Sequence, residues 1–575
     1  MQSKVQKYER VRSQLEYERS SFIPQWRDIG THIRPSRPRF FLGDGNKGDR
    51  RNLKILDSTA TTSSRTLAAG MHSGITAPSR PWFKLSTPDP DLNEFESAKW
   101  WLYSVTERMR TVFLKSGYYN TMPIIYGDTG DFGTGVYSVE EDFEKTIHTN
   151  SFPVGTYMLG KDSKGRINTF CREFRLTIRQ CVELFGKENG KTGKVDWSNF
   201  SGYIKRMWDE GNYENWVEIV QVIMPNDDYY PEKLESKHKK FTSVYYERGL
   251  VASTAASIQG SYSGLSGVED KVLSEKGYDY FPIMGPRWYV SGEDVYGTDC
   301  PGMTALGDVK QLQNMEKRIL QGIDKMVNPP MQGHSSLRDK KTSMLPGGVT
   351  WVDDLTVGGM KPLHEVNPRI LEAENKQTQC RQRIQRAYFE DLFLMLANLD
   401  RRDITATEIN QRYEEKLLVL GPVLEQMNFD ALDPTIDVTF RIMLQQGMIP
   451  PPPKELQGQE LRVEYVSVMA QAQKLLGLSG IERFSSFVGR VAPMKPDIVD
   501  KISFDQMLDV YGDAASLPPG IIVPDETAQS IRNQRAQQQA QMQQAEMMKQ
   551  QSSAVRDLSQ SKIADDSALK RLLGA

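Results

Sequence analysis

At 575 residues the chain exceeds a single core, and at roughly 150 residues per domain it divides into about three or four units. Hydrophobic residues at 38% and aromatic residues at 9%, against 25% charged, exclude a chain disordered throughout. Lys plus Arg number 72 and Asp plus Glu 74, a formal charge of −2; this excludes a surface that grips a phosphate backbone everywhere and leaves only local contacts.

The four cysteines, Cys171, Cys181, Cys300 and Cys380, form no C-x-x-C pair, so neither a disulfide framework nor a zinc knuckle is encoded and a reducing compartment is expected. No run approaches the roughly 18 apolar residues a bilayer crossing needs. The densest, Leu392 to Leu399, contains Asn398, and the first twenty residues are charged without an apolar core. The expectation is a protein neither secreted nor membrane-spanning.

In chain order, residues 1–33 predict one polar helix with Val5, Tyr8, Val11, Leu15 and Phe22 on one side, followed by a basic loop, Arg34 to Arg39. Residues 1–54 hold 13 Lys/Arg against 6 Asp/Glu, a basic arm that fits contact with nucleic acid or an acidic partner as well as it fits a solvated helix and loop. A Ser/Thr/Ala-rich helix is predicted from Leu53 to Ile75, and another from Ser97 to Leu114 whose Trp100, Trp101, Val105, Met109 and Phe113 read as core. Between about 133 and 300 the period shifts toward two. Gly135–Val139, Asn168–Phe174, Trp216–Met224 and Phe241–Tyr246 read as strands of an α+β region rather than a βαβ array.

Val309, Leu312, Met315, Ile319, Ile323 and Met326 recur at spacings of three and four, predicting one amphipathic helix from Thr304 to Asn328, stopped by Pro329-Pro330. Residues 329–368 are rich in Gly and Pro, with a short strand expected around Val349–Val352. Asn367-Pro368 then caps a second long helix, Arg369 to about Asn398, with Ile370, Ile384, Tyr388, Leu392 and Leu396 on its apolar face. Two helices of this length, each roughly 40 Å, separated by a compact insert form a hairpin with a small domain at its tip. A charged break, Leu399 to Asp403, precedes a capping box, Thr405 to Glu408, that starts a third helix. Pro450 to Pro453 form a stiff joint before a helical module over about 455–515. The Gln-rich run 529–551 has few apolar anchors, so as a helix it needs neighbouring copies to hold it.

Signals for chemistry are weak. Gly186-Lys-Glu-Asn-Gly190-Lys191-Thr192 has three residues between its glycines where a phosphate-binding loop requires four, and it follows a predicted helix instead of a buried strand. Gly127 to Gly135 has the wrong glycine order for a dinucleotide fingerprint and reads as a tight turn entering a strand at Val136. The six histidines are scattered. Asp497, Asp500, Asp505 and Asp509 could cluster around cations, but their spacing fits a solvated helical face better. No catalytic residue, cofactor or metal site is assigned.

Gly292-Glu-Asp-Val-Tyr-Gly297, Pro301 to Asp308, the helix ending in Lys325-Met-Val-Asn-Pro-Pro330, the Gly/Pro insert, the second long helix and Ile404 to Ile409 together resemble the head-to-tail connector, or portal, proteins of short-tailed bacteriophages. Ala68 to Ala77 with Arg80-Pro-Trp-Phe83 is similar to that family's N-terminal region, and the resemblance covers roughly residues 5–520. It implies a mainly helical α+β subunit. Residues 1–300 would form a wing with a basic arm over 1–54, 301–328 and 369–398 a two-helix stem, and 329–368 a clip insert. Residues 399–450 would be a tunnel loop and wing return helix, 451–520 a helical crown and 521–575 a C-terminal barrel helix.

The same resemblance implies a homo-oligomeric ring, usually of twelve subunits, at one capsid vertex of the virion. Its partners would be double-stranded DNA passing through the channel, the major capsid protein, a tail adaptor and a packaging motor (terminase), with no membrane span. Arg401 and Arg402, with Lys310, Lys317 and Lys325, are the candidates for facing DNA. The alternative for Arg401 and Arg402 is intersubunit bridging to Asp400, Asp403 or Glu408, and the mixed charge of the first long helix fits a subunit interface as well as a channel wall. Trp351 with Arg338, Lys340 and Lys341 are the candidates for docking the tail or motor. A degenerate packaging ATPase and a capsid adaptor or scaffold without a channel are the competing readings.

Overall fold

The single helix expected over 1–33 is two, α1 (Lys4–Ser20) and α2 (Ile23–His32). The proline at residue 24 explains the split. It has no N–H to donate and its ring clashes with the carbonyl four residues back, at Ser20, where α1 ends; it then serves as an early residue of α2. The computed structural model describes residues 4–44, 48–89, 95–186, 195–233, 235–248, 271–333, 361–362, 370–397, 420–456, 458, 461–465, 484–491, 503–508 and 525–560. These fall into two compact units, one of residues 1–86, 104–451 and 461–472, the other of residues 87–103, 452–460 and 473–575.

In the first unit α3 (Thr59–Ile75) starts six residues later than its periodicity suggests, because the Asp57 carboxylate accepts the Thr59 N–H at 2.8 Å and caps it there. Strand β1 (Phe83–Ser86) follows, then helix α4 (Glu96–Lys115), of which residues 104–115 belong to this unit and residues 96–103 to the other. On α4, Val105, Met109 and Phe113 are fully buried as expected, but Trp100 is 49% exposed and is not core. Next, α5 (Tyr118–Phe132) is buried along almost its whole length. It runs through the glycine-rich segment expected to be a turn, and the left-handed turn comes only at its end, where Gly133 has φ +81°. Gly130 lets α3 approach closely, since a Cβ there would lie 2.2 Å from a Leu67 methyl, which would have to shift.

Strands β2 (Tyr137–Asp142), β3 (Thr146–Ser151), β4 (Tyr157–Lys161) and β5 (Ile167–Thr177) lead into helices α6 (Ile178–Phe185) and α7 (Gly202–Asp209). Strands β6 (Trp216–Pro225), β7 (Phe241–Glu247), β8 (Ser274–Tyr278) and β9 (Ile283–Met284) complete two antiparallel sheets, ordered β4-β5-β6-β7-β8 and β3-β2-β9. The expected strands are present, and the shift of period reflects an α+β region. In the larger sheet Met158 pairs with Cys171, Cys171 with Val222, and Val222 with Val244, so one apolar row crosses four strands. Val5, Tyr8 and Leu15 of α1 close over that row. The alternate residues, Val217 and Ile219 of β6 with Phe174 and Leu176 of β5, pack against α6 and α7.

Arg12 lies among the apolar residues of α1, buried against the sheet, because three carboxylates meet it: Glu9 at 2.7 Å, Glu16 at 2.7 Å and Glu173 at 2.8 Å. Arg19, also buried, donates to the carbonyls of Gly155 and Tyr157. The arm is therefore not a freely solvated basic helix.

Gly186 closes α6, whose start is fixed by a reciprocal pair of hydrogen bonds between Thr177 and Gln180. The strand before it belongs to an antiparallel sheet, whereas a phosphate-binding loop joins a buried parallel strand to a helix. Residues 187–194 of that motif lie outside the described residues.

The first long helix is α8 (Pro301–Val327), starting three residues earlier than expected with Pro301 in its first turn. Short strands β10 (Met331–Gln332) and β11 (Lys361–Pro362) pair antiparallel just beyond it. The second long helix is not continuous. It breaks into α9 (Ile370–Ala387) and α10 (Glu390–Ala397), with Phe389 between them at φ +54°. Further on, residues 428–432 form a π-helical turn leading directly into the helix Asp433–Gln445. Strand β12 (Arg462–Tyr465) then returns to pair antiparallel with β1.

In the second unit the Gln-rich run is helical, within Asp525–Gln560, and every residue from 529 to 553 is exposed. Asp505, one of the four carboxylates considered for a cation cluster, is held by Arg532 at 2.7 Å; Asp497, Asp500 and Asp509 lie outside the described residues.

Candidate functional site

The long helix pair is the feature most unlike an ordinary globular packing. Val309 and Leu312 bury the root of α8, and Gln313 fastens the loop before α3: its carbonyl accepts the N–H groups of Leu56 and Asp57 while its amide donates to the Asp57 carbonyl. Helix α9 runs antiparallel beside it. Arg383 pairs with Asp308 at 2.6 Å, Gln377 donates to Glu316, and Arg381 reaches Asp57 at 2.8 Å and Glu316 at 3.9 Å.

Beyond that root the predicted stripe of α8 is half-buried at Met315 and Ile319 and uncovered at Ile323 and Met326, with Leu320 and Val327 exposed beside them. Leu320 is 52% exposed, Ile323 39%, Met326 47% and Val327 80%, with Leu371 at 77% on α9. A row of large apolar residues at helical spacing gains little unless something covers it.

Both helices are rooted on one buried polar cluster at the end of α5. Asp128 and Asp131 are fully buried. Arg37 meets Asp128 with its Nε at 2.8 and 2.9 Å from the two oxygens and also donates to the Phe152 carbonyl; Arg34 lies 3.4 Å from Asp128 and 3.5 Å from Asp131. Asp131 further accepts the Ser64 hydroxyl of α3 at 2.8 Å and the Tyr388 hydroxyl, at the α9–α10 break, at 3.0 Å. Its backbone carbonyl accepts the Cys300 thiol just ahead of α8 at 3.2 Å. Burial pushes the Asp131 carboxyl above its ordinary range, against the pull of Arg34, Ser64 and Tyr388. One aspartate thus touches the N-terminal arginine loop, α3, the start of α8 and the end of α9.

Of the predicted contact residues, Lys310 is engaged within the chain, its ammonium 2.7 Å from Asp28 of α2. Lys317 and Lys325 are exposed and, with Arg318, have no ion-pair partner among the described residues. Arg401, Arg402, Trp351, Arg338, Lys340 and Lys341 lie outside the described residues, as do the capping box at 405–408 and the strand expected at 349–352. The Asp128–Asp131 cluster was missed because residues 127–135 read as a turn. The i, i+3 spacing of two aspartates between apolar residues, opposite a run of arginines at 34–39, is the signal that could have found it.

Asp57 gives a pH-dependent readout of the α9 anchorage. Burial works to raise its pKa, but hydrogen bonds from Thr59 and the Arg381 guanidinium outweigh it and hold the carboxyl below its ordinary 3.8. A carboxyl with a lower pKa folded than unfolded stabilises at pH values above 3.8, and that contribution is lost as pH falls through the lower folded value. Acidification below about pH 4 is therefore expected to loosen α9. Comparing melting temperatures between pH 5 and pH 3 checks this: Asp57→Asn should flatten the dependence, and an unchanged slope would refute the assignment.

Among the described residues no group of three or more His, Cys, Asp or Glu side chains is arranged to hold a metal ion, and no described helix is long and apolar enough to cross a membrane.

The family model of the bacteriophage head to tail connecting protein matches residues 5–522. The chain is 43% identical over 564 residues to the portal protein of Salmonella phage epsilon15, covering 98% of this chain and 97% of that one. It is 39% identical over 538 residues to a protein of Bordetella phage BPP-1 named a probable portal protein, covering 93% and 92%.

Proposed function

The chain belongs to the bacteriophage head-to-tail connecting protein family, and from that membership we propose that its copies form a ring at one vertex of the capsid. Double-stranded DNA is packaged and ejected through the channel of that ring, a structural role in the virion with no catalytic step. The observation that carries the reading is the uncovered apolar stripe of the α8–α9 pair. Leu320, Ile323, Met326 and Val327 lie in water in the single chain, and neighbouring copies standing side by side cover them. The helix Asp525–Gln560, exposed over residues 529–553 with Met542, Met547 and Met548 open to solvent, has the same need.

Charge on α8 supports the channel. Asp308 and Glu316 are occupied by α9 and Lys310 by α2, which leaves Lys317, Arg318 and Lys325 against Asp324 as the open charges. That small excess, repeated around a ring, attracts phosphate without the many simultaneous ion pairs that would hold DNA fast. In this reading residues 1–300 are the wing, 301–328 with 369–398 the stem, 329–368 the clip that docks the tail adaptor and packaging motor, and 399–403 a loop in the channel. The crown and barrel follow.

Electron microscopy of the purified protein tests the assembly: rings with a central hole are expected, and a monomer, or a closed oligomer without a hole, rejects it in favour of a capsid adaptor. Replacing both Arg401 and Arg402 by alanine should leave rings intact while lowering DNA packaging or retention. Unchanged packaging and retention would remove these two residues from the channel wall.

A further inference from the structure

The break between α9 and α10 contradicts its own sequence. No glycine or proline lies between residues 369 and 398, and Ile384, Tyr388 and Leu392 continue a four-residue apolar spacing straight through it. Local preference therefore favours one continuous helix. The chain instead places Phe389, an aromatic residue, at φ +54°, where its Cβ crowds the backbone. Strain of this kind persists only when the surroundings over-determine it.

The surroundings are specific on both sides of the break. Before it, the fully buried Tyr388 donates to Asp131 at 3.0 Å. At the break itself, the Phe389 ring stacks on Trp288 with centroids 6.2 Å apart and planes 29° from parallel. After it, Glu390 accepts the Ser63 hydroxyl at 2.7 Å, and Phe393 sits in a notch on α3 that exists because residue 70 is glycine. A Cβ at Gly70 would come within 2.2 Å of the Phe393 ring. Helix α3 thus offers a seat made of Ser63 and Gly70.

We infer that the Tyr388–Phe389 break is a latch. Helix α10 exchanges between its seat on α3 and a straighter continuation of α9, with the buried Asp131 carboxylate as the catch. The catch is also reached from the N-terminus: Arg34, 24% exposed, is the cation nearest to Asp131, and both oxygens of Asp128 are engaged by Arg37. Withdrawing Arg34 leaves Asp131 buried without its counter-charge, a cost that opening relieves by admitting water to the carboxylate, so release of Tyr388 is favoured. The arginine loop and the second long helix are in this way coupled through one side chain. The inference concerns a single chain and stands whether or not copies form a ring.

Hydrogen–deuterium exchange on the full-length protein, read in peptides covering 388–397 and compared with peptides from α5 and α8, tests it. Tyr388→Phe keeps the ring and removes the donor; exchange at 388–397 should rise about tenfold while α5 and α8 stay protected. Phe389→Ala removes the Trp288 contact and keeps the left-handed penalty, Phe389→Gly removes both, and opening should be about tenfold slower in Phe389→Gly than in Phe389→Ala. Arg34→Gln should speed the same peptides, and combining it with Tyr388→Phe should give less than the product of the two effects. Unchanged protection at 388–397 in Tyr388→Phe, together with equal protection in Phe389→Gly and Phe389→Ala, would overturn the latch, as would equal acceleration across all three helices. Multiplicative effects of Arg34→Gln and Tyr388→Phe would overturn the coupling.

Discussion

Replacing Asp430 by alanine is expected to destabilise the first unit by about 3–5 kcal/mol, the cost typical of removing one partner from a buried ion pair. Arg287 and Asp430 are both nearly inaccessible, at 4% and 3% side-chain exposure. Their contact is a two-pronged fork, Nε to Oδ2 at 2.8 Å and Nη2 to Oδ1 at 2.7 Å, with Nη2 also donating to the Gly165 carbonyl at 3.0 Å and Gln426 donating to Asp430 at 2.8 Å. Truncation leaves a guanidinium in the interior with one carbonyl in place of a charge partner.

The effect should be felt well away from the site. Arg287 bridges to Thr134 immediately after α5, and Asp430 lies in the π-helical turn that feeds the helix Asp433–Gln445. One ion pair therefore ties two distant parts of the chain. The measurement is the guanidinium midpoint followed by tryptophan fluorescence. Changing both residues to apolar ones of similar volume, Arg287→Met with Asp430→Leu, should restore most of the loss, because the pair's desolvation cost disappears with it. A single alanine variant with a wild-type midpoint would show the pair to be dispensable.

Much of the helical architecture was legible in residue periodicity. The α8 stripe and the antiparallel return of α9 follow from apolar spacing and from Pro329-Pro330, local signals that a sequence carries openly. The strands around Cys171, Val222 and Val244 were legible for the same reason. What could not be read was imposed from a distance. The α9–α10 break has no local cause and depends on Asp131, Ser63 and Gly70, which lie more than 250 residues away in the chain. The inward turn of Arg12, Arg34 and Arg37 looked like surface charge because their carboxylate partners at 173, 128 and 131 belong to elements joined to them only by folding. The glycines of α5 read as turn formers, since a close approach of another chain segment leaves no local mark.

Such a close approach sets the second large effect, at Gly302 in the first turn of α8. A Cβ there would lie 2.2 Å from the Asp131 carbonyl oxygen and 2.8 Å from both its carbonyl carbon and its Cα. All three are backbone atoms near the buried C-terminal end of α5, so no side chain can swing aside. Gly302→Ala must instead push the start of α8 away from α5, at a cost expected to reach or exceed the roughly 3 kcal/mol at the upper end of ordinary overpacking. The shift also stretches the Cys300 thiol from its carbonyl acceptor and disturbs the carboxylate that holds Tyr388, so both long helices lose their common root.

Gly307, five residues along on the same helix, supplies the control. A Cβ there meets nothing within 4 Å, and Gly307→Ala should stabilise by about 0.5–1 kcal/mol through helix propensity alone. The two substitutions are chemically identical and should move the melting temperature in opposite directions. If Gly302→Ala also raised it, the tight contact between α5 and α8 could not be what orients the helix pair.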